Sequence, residues 1–173
     1  SRDWCVSYVI DSNHDRALLR WLKNGDYKND PVNAVFFLKA QAAVYTAIEN
    51  GLDPFNVLEW AVRYLLPDLS SVIFLDQTDS MLVLNVEHAL HGDKGANGAK
   101  GAVSSFAKAG PKATTADKHA AEIYEGIYQC GHSCTSDQGY NRGGLSSWNH
   151  SHVILYPNGK RTIVTMRGEK WCG

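Results

Sequence analysis

Three short clusters hold the side chains that could do chemistry. Ser12-Asn13-His14-Asp15 directly follows the apolar run Val6-Ser7-Tyr8-Val9-Ile10. The Asn13 amide oxygen can ligate a hard divalent cation. The His14 imidazole can protonate a leaving oxygen, and the Asp15 carboxylate can orient that imidazole. His88, His91 and Asp93 form the second cluster, and Asp117 with His119 the third. Such nitrogen and oxygen donors, with no need for thiolate, suit a hydrolytic site for divalent metal ions. Two such ions can activate a water and hold the attacking and leaving oxygens of a phosphoryl transfer.

Each residue also has a plainer use. Asn13 can cap a turn, and His14 can be a surface imidazole. Asp15 is expected to cap the following helix as well as orient His14. His88 fits a strand neighbour better than a metal, whereas the glycine after His91 gives access to it. Cys130-Gly131-His132-Ser133-Cys134 suggests zinc, but a structural zinc site wants four ligands in paired spacing, and Cys5 and Cys172 are remote. His150 and His152 alternate on a strand-like run, so they are expected on one polar face, possible as a rim of the site.

The elements that must position these residues can be read from periodicity. A strand is expected near residues 4–10 and a helix over 15–24, stopped by Gly25. A long apolar-periodic helix follows over 32–50, with Gly51 as its C-cap. Asp53-Pro54 should start a third helix, running to about residue 66. Short apolar runs at 71–75 and 81–86 suggest strands. The glycine-rich loop Gly92, Gly95, Gly98, Gly101 then suggests a backbone that approaches something closely, before a short helix over 102–109. Strands are expected at 113–118, 126–130, 150–156 and 161–166. Asn158-Gly159 predicts a hairpin turn of the primed type between the last two. The loops at strand ends would converge on one rim of a layered α/β fold.

The bulk numbers bound the class. At 173 residues, 44% of them hydrophobic, the chain suits one globular domain with a sizeable core. A formal net charge of -1 gives no global basic footprint for nucleic acid or a membrane surface. Four unevenly spaced cysteines suggest a reduced, cytoplasmic setting. No stretch approaches the roughly 18 apolar residues of a membrane span, so no membrane partner is expected. The start at Ser1, directly before a buried-looking strand, suggests a fragment or a processed product.

Asn-His-Asp after a strand, a later strand-end His-Gly-Asp, and a strand-end histidine before Ala120-Ala121-Glu122-Ile123-Tyr124 together resemble the later motifs of the calcineurin-like metallophosphoesterases. The stretch from His91-Gly92-Asp93-Lys94-Gly95 through Tyr140-Asn141-Arg142-Gly143 to Tyr156-Pro157-Asn158-Gly159-Lys160-Arg161 is similar to phage-encoded members in particular. The resemblance spans most of residues 1–173, with 30–66 as a helical insertion. It implies the α/β fold of that family, a mixed-sheet sandwich with packed helices that here lacks its N-terminal part.

By position, the resemblance makes Asn13 and His91 ligands of one metal and His119 a ligand of the other. It gives His14 the phosphate and the leaving group, with Asp15 beside it. The implied cofactors are divalent ions, manganese foremost, with magnesium, iron or zinc as alternatives. The implied activity is phosphoester hydrolysis, on a substrate that could be a nucleic acid, in the host cytoplasm if phage-encoded.

This sequence departs from the family pattern in two ways. The early motifs Asp-x-His and Gly-Asp-x-x-Asp are absent, so an N-terminal segment or partner chain would have to complete the metal site. The expected Gly-His-x-His stands as Ala116-Asp117-Lys118-His119. Asp117 replaces a histidine ligand, and Lys118 competes with a metal for it. A rival alignment puts the motif at Gly131-His132-Ser133-Cys134. The first placement is preferred because residues 122–128 fit the family's continuation. The alternative to an enzyme is a phosphoesterase-like module that kept the fold, lost its chemistry and binds a partner.

Overall fold

The computed structural model describes residues 5–52 and 55–173, a mixed α/β protein whose chain divides into two compact units, one running to Asp76 and the other starting at Gln77. In the first unit, β1 (Ser7–Ile10) leads into α1 (Arg16–Asn24). The helices α2 (Ala34–Glu49) and α3 (Val57–Leu65) follow, and β2 (Val72–Leu75) closes the unit by pairing parallel with β1. The expected strand at 4–10 is observed from Ser7, and residue 4 lies outside the described residues. So does the Asp53-Pro54 helix start. Within the described residues, α3 is capped by Asn56, whose side chain accepts the Glu59 N–H at 2.9 Å.

Aromatic packing holds this unit together. Leu22, Phe37, Ala40, Val44 and Val57 form its buried cluster, with Trp21 and Trp60 packed against it. Trp21 meets Phe37 edge-on at 4.7 Å between centroids, a favoured aromatic geometry. Gly51, at φ +73, ends α2. Its N–H donates to Ile48 and the Leu52 N–H to Ala47, the paired bonds of a Schellman close.

The second unit is built from strands. β3 (Leu82–Val83), β4 (Val86–Glu87), β5 (Lys112–Thr115), β6 (Glu122–Tyr124) and β7 (Ile127–Gln129) form one sheet in the order β3-β4-β5-β7-β6. The neighbours β4, β5 and β7 run parallel. The short helix α4 (Val103–Ala107) lies between β4 and β5 in sequence, and its Val103 and Phe106 pack on Ala113 and Ile127. A separate antiparallel sheet holds β8 (Ser151–Leu155), β9 (Arg161–Arg167) and β10 (Lys170–Cys172). Arg161 ties the two sheets. Its guanidinium donates to the carbonyls of Ala113 at 2.7 Å and Gly126 at 2.6 Å, and stacks over Tyr128.

Three sequence expectations change here. The run at 81–86 is a hairpin, not one strand, because Leu84 (φ 51) and Asn85 (φ 61) turn the chain between β3 and β4. The strand expected over 113–118 stops at Thr115, where a turn intervenes. The turn between β8 and β9 is not of the primed type. The Gly159 N–H donates to Tyr156 and only Gly159 has positive φ, since Pro157 holds the preceding position near its fixed negative φ.

Candidate functional site

Parallel pairing of β4 and β5 sends both of their following loops out of the same end of the sheet. The first loop carries His91 and the second Asp117. The Ala116 N–H donates to the His91 carbonyl at 2.8 Å, which fixes the two loops to each other. The Lys118 N–H then donates back to Ala116 at 2.8 Å across Asp117, whose φ is +66. That is a positive-φ γ-turn, a strained arrangement for a residue with a side chain. Its result is a short polar chain: Asp117 Oδ1 lies 3.4 Å from His91 Nε2, and Oδ2 lies 2.7 Å from Lys118 Nζ.

The glycine-rich loop brings its backbone close to its own chain. A Cβ on Gly101 would sit 1.7 Å from the Gly92 carbonyl oxygen, and one on Gly92 would sit 3.0 Å from that of Ala116. The Gly101 N–H donates to Asp93, and Ala96 N–H to Ser105 Oγ. These glycines therefore let the His91 loop pack flat between α4 and the end of β5. The close approach expected from the sequence is met within the fold.

His119, also at positive φ, turns into a second grouping that the sequence did not reveal. Its ring stands edge-on to Trp148 at 4.2 Å and lies 6.0 Å from His132, which in turn lies 4.4 Å from His150. His132 is buried, with Nδ1 3.3 Å from Cys134 Sγ and Nε2 3.3 Å from Ser136 Oγ. Burial, with the His150 and His119 rings beside it, lowers the His132 pKa from the ordinary imidazole value. His150 Nε2 donates to the Cys134 carbonyl, whereas exposed His152 meets Trp171. His150 and His152 thus have different neighbours. Burial of the Cys130 thiol raises its pKa, against a backbone hydrogen bond from Val153 that lowers it. His88 has a buried Nε2 with no hydrogen-bond partner among the described residues. Burial foremost, and then Arg161, lower its pKa.

In the first unit, Ser12 and Asp15 satisfy each other. The Ser12 N–H donates to Asp15 Oδ2 at 3.0 Å, and the Asp15 N–H to Ser12 Oγ at 3.1 Å. This is a reciprocal capping box that starts α1. Asp15 has helical φ and ψ, so the cap position belongs to Ser12. The Asp15 carboxylate therefore serves the helix start and bonds Ser12, not the His14 ring. His14 is exposed and Asn13 half-buried.

The structure thus joins His91 to Asp117, places His119 with Trp148 and His132, and holds Asn13, His14 and Asp15 in the other unit. The donors of His91 and Asp117 fit a divalent cation by type, with one carboxylate oxygen taken by Lys118. No group of three or more His, Cys, Asp or Glu side chains that could hold a metal forms among the described residues, including the Cys130, His132 and Cys134 set. Among them, too, no helix is long and apolar enough to cross a membrane.

No family model matches the sequence, and no solved structure matches it. Protein A1 of Escherichia phage T5 is 40% identical to it over 172 residues, which cover 98% of this chain and 31% of that protein. The chain thus spans about a third of the length of this curated relative.

Proposed function

We propose that this chain carries part of a metal-dependent phosphoester hydrolase of the metallophosphoesterase type, encoded by a phage and acting in the host cytoplasm. The observation that supports it is the His91–Asp117 pair, set at the carboxyl ends of adjacent parallel strands, where ligand sites of α/β sheets gather. On this reading His91 and Asp117 hold the cation. Bound there, a divalent ion such as manganese supplies Lewis acidity toward a phosphoryl oxygen. The Lys118 ammonium offsets charge on the phosphate. The finer fold, a metallophosphoesterase sandwich completed by further polypeptide, belongs to the same proposal.

A second reading has its own support. The short Lys118–Asp117 ion pair occupies half of the carboxylate, as expected in a module that kept the fold and binds a partner without turnover. Manganese-dependent hydrolysis of bis-p-nitrophenyl phosphate separates the two, measured on this chain alone and within a polypeptide as long as its phage T5 relative. The hydrolase reading expects activity that falls at least ~100-fold in His91→Ala. No activity in either setting would leave the binding-module reading standing, and activity that His91→Ala leaves unchanged would contradict a hydrolytic site at His91.

A further inference from the structure

Helix α2 buries Phe37, Ala40, Val44 and Ala47 in the core of the first unit. Its opposite side is also apolar. Val35 is 66% exposed, Leu38 46% and Tyr45 54%, with exposed Ala42 at the middle and Lys39, Thr46 and Glu49 beside them. Positions 35, 38, 42 and 45 alternate steps of three and four, the spacing with which one helix meets another side by side. A helix apolar on both faces belongs where both are covered.

We infer that the outer face of α2 is covered by the same face of a second copy of this chain, antiparallel and crossing at Ala42. Size and charge both select that occupant. The small Ala42 lets two backbones approach, and Leu38 and Tyr45 lie about one turn to either side, so Leu38 of each copy fills beside Tyr45 of the other. Lys39 lies in the first half of the stripe and Glu49 at its end. An antiparallel pair brings Lys39 toward Glu49 of the other copy, within reach of a lysine side chain. A parallel pair would set like charges together. Tyr64 of α3, bonded through its hydroxyl to Lys39 at 2.8 Å and itself exposed, borders the stripe. A contact repeated by a two-fold axis closes on itself and gives a dimer.

The test is molar mass in solution, from light scattering on the purified chain. A mass of twice 19.1 kDa is expected. The double variant Leu38→Glu/Tyr45→Glu should halve it with unchanged far-ultraviolet circular dichroism. If that variant misfolds, Val35→Lys, at the most exposed position of the stripe, takes its place. With the exposed cysteines Cys5, Cys134 and Cys172 changed to serine, Ala42→Cys should form a disulfide-linked dimer and Val35→Cys should not. A monomeric wild-type chain overturns the proposal, as does a dimer whose mass these charged substitutions leave intact. A dimer that cross-links through Val35→Cys, with or without Ala42→Cys, overturns the antiparallel arrangement.

Discussion

In the first unit the polar tetrad closes on itself, Ser12 with Asp15 at the head of α1, whereas in the second His91 and Asp117 close on each other from loops far apart in sequence. The first arrangement is local. It costs no long-range closure and does what such residues do at any helix start. The second exists only because two parallel strands deliver their loops to one end of a sheet, and because Asp117 accepts a strained backbone. Strain held in place by surrounding structure is a mark of positions that folding alone does not favour. Two histidine-bearing motifs of similar appearance in sequence therefore differ in what the fold does with them.

The largest expected effect comes from breaking the two units separately. Phe37→Ala should cost the helical unit about 3–5 kcal/mol, as truncation of a buried aromatic does. Gly101→Ala should cost the strand unit about 3 kcal/mol, because the new methyl would meet the Gly92 carbonyl. Hydrogen exchange on each variant checks whether protection is lost in one unit and retained in the other. Loss spread evenly through both would mean that they fold as one.

Next in size is the cap. Ser12→Ala should lower stability by about 1 kcal/mol, and Asp15→Ala by a similar amount, in thermal melts. If Asp15 also orients His14 for catalysis, Asp15→Ala would lower phosphodiester hydrolysis well beyond Ser12→Ala. Equal effects of the two would leave Asp15 with capping alone. On the other side of the comparison, Asp117→Gly relieves a positive φ while deleting a carboxylate. It should change stability by no more than about 1 kcal/mol in either direction. A much larger loss would show that the carboxylate holds the loop together, not the backbone turn.

The smallest effect is on pH. His88 and His132 both lie below the ordinary imidazole value, chiefly through burial. The unfolded chain therefore takes up these protons first. Their contribution to stability is present above the ordinary value of about 6.5 and is lost as the pH falls toward the folded values. The strand unit should melt at lower temperature at pH 5 than at pH 7.5, and His132→Gln should flatten that dependence. A melting temperature that rises on acidification would contradict the burial of these rings.

Much of the helical unit was legible in the sequence, because its signals are local: apolar spacing for α2, Gly51 at its end, Trp21 and Leu22 on one face of α1. The strand unit was less so. Leu84-Asn85 turns the chain with an exposed leucine at positive φ, so an apolar run concealed a hairpin. The glycine-rich loop was legible as a close approach, but only packing shows that it approaches Gly92 and Ser105. His91 and Asp117 were singled out by residue type and strand-end position. Their contact needed the register of β4 on β5. The grouping of His119 with Trp148, His132 and His150 had no local signal, since it depends on a bridge between His132 and His150 from separate elements.

The most direct test of the His91–Asp117 site is a manganese titration of the purified chain, followed by electron paramagnetic resonance of the free ion. Binding is expected to weaken at least ~10-fold in both His91→Ala and Asp117→Ala, and to tighten in Lys118→Ala as the competing ammonium is removed. Equal manganese affinity in all four proteins, or none in any of them, would contradict a metal site at the ends of β4 and β5.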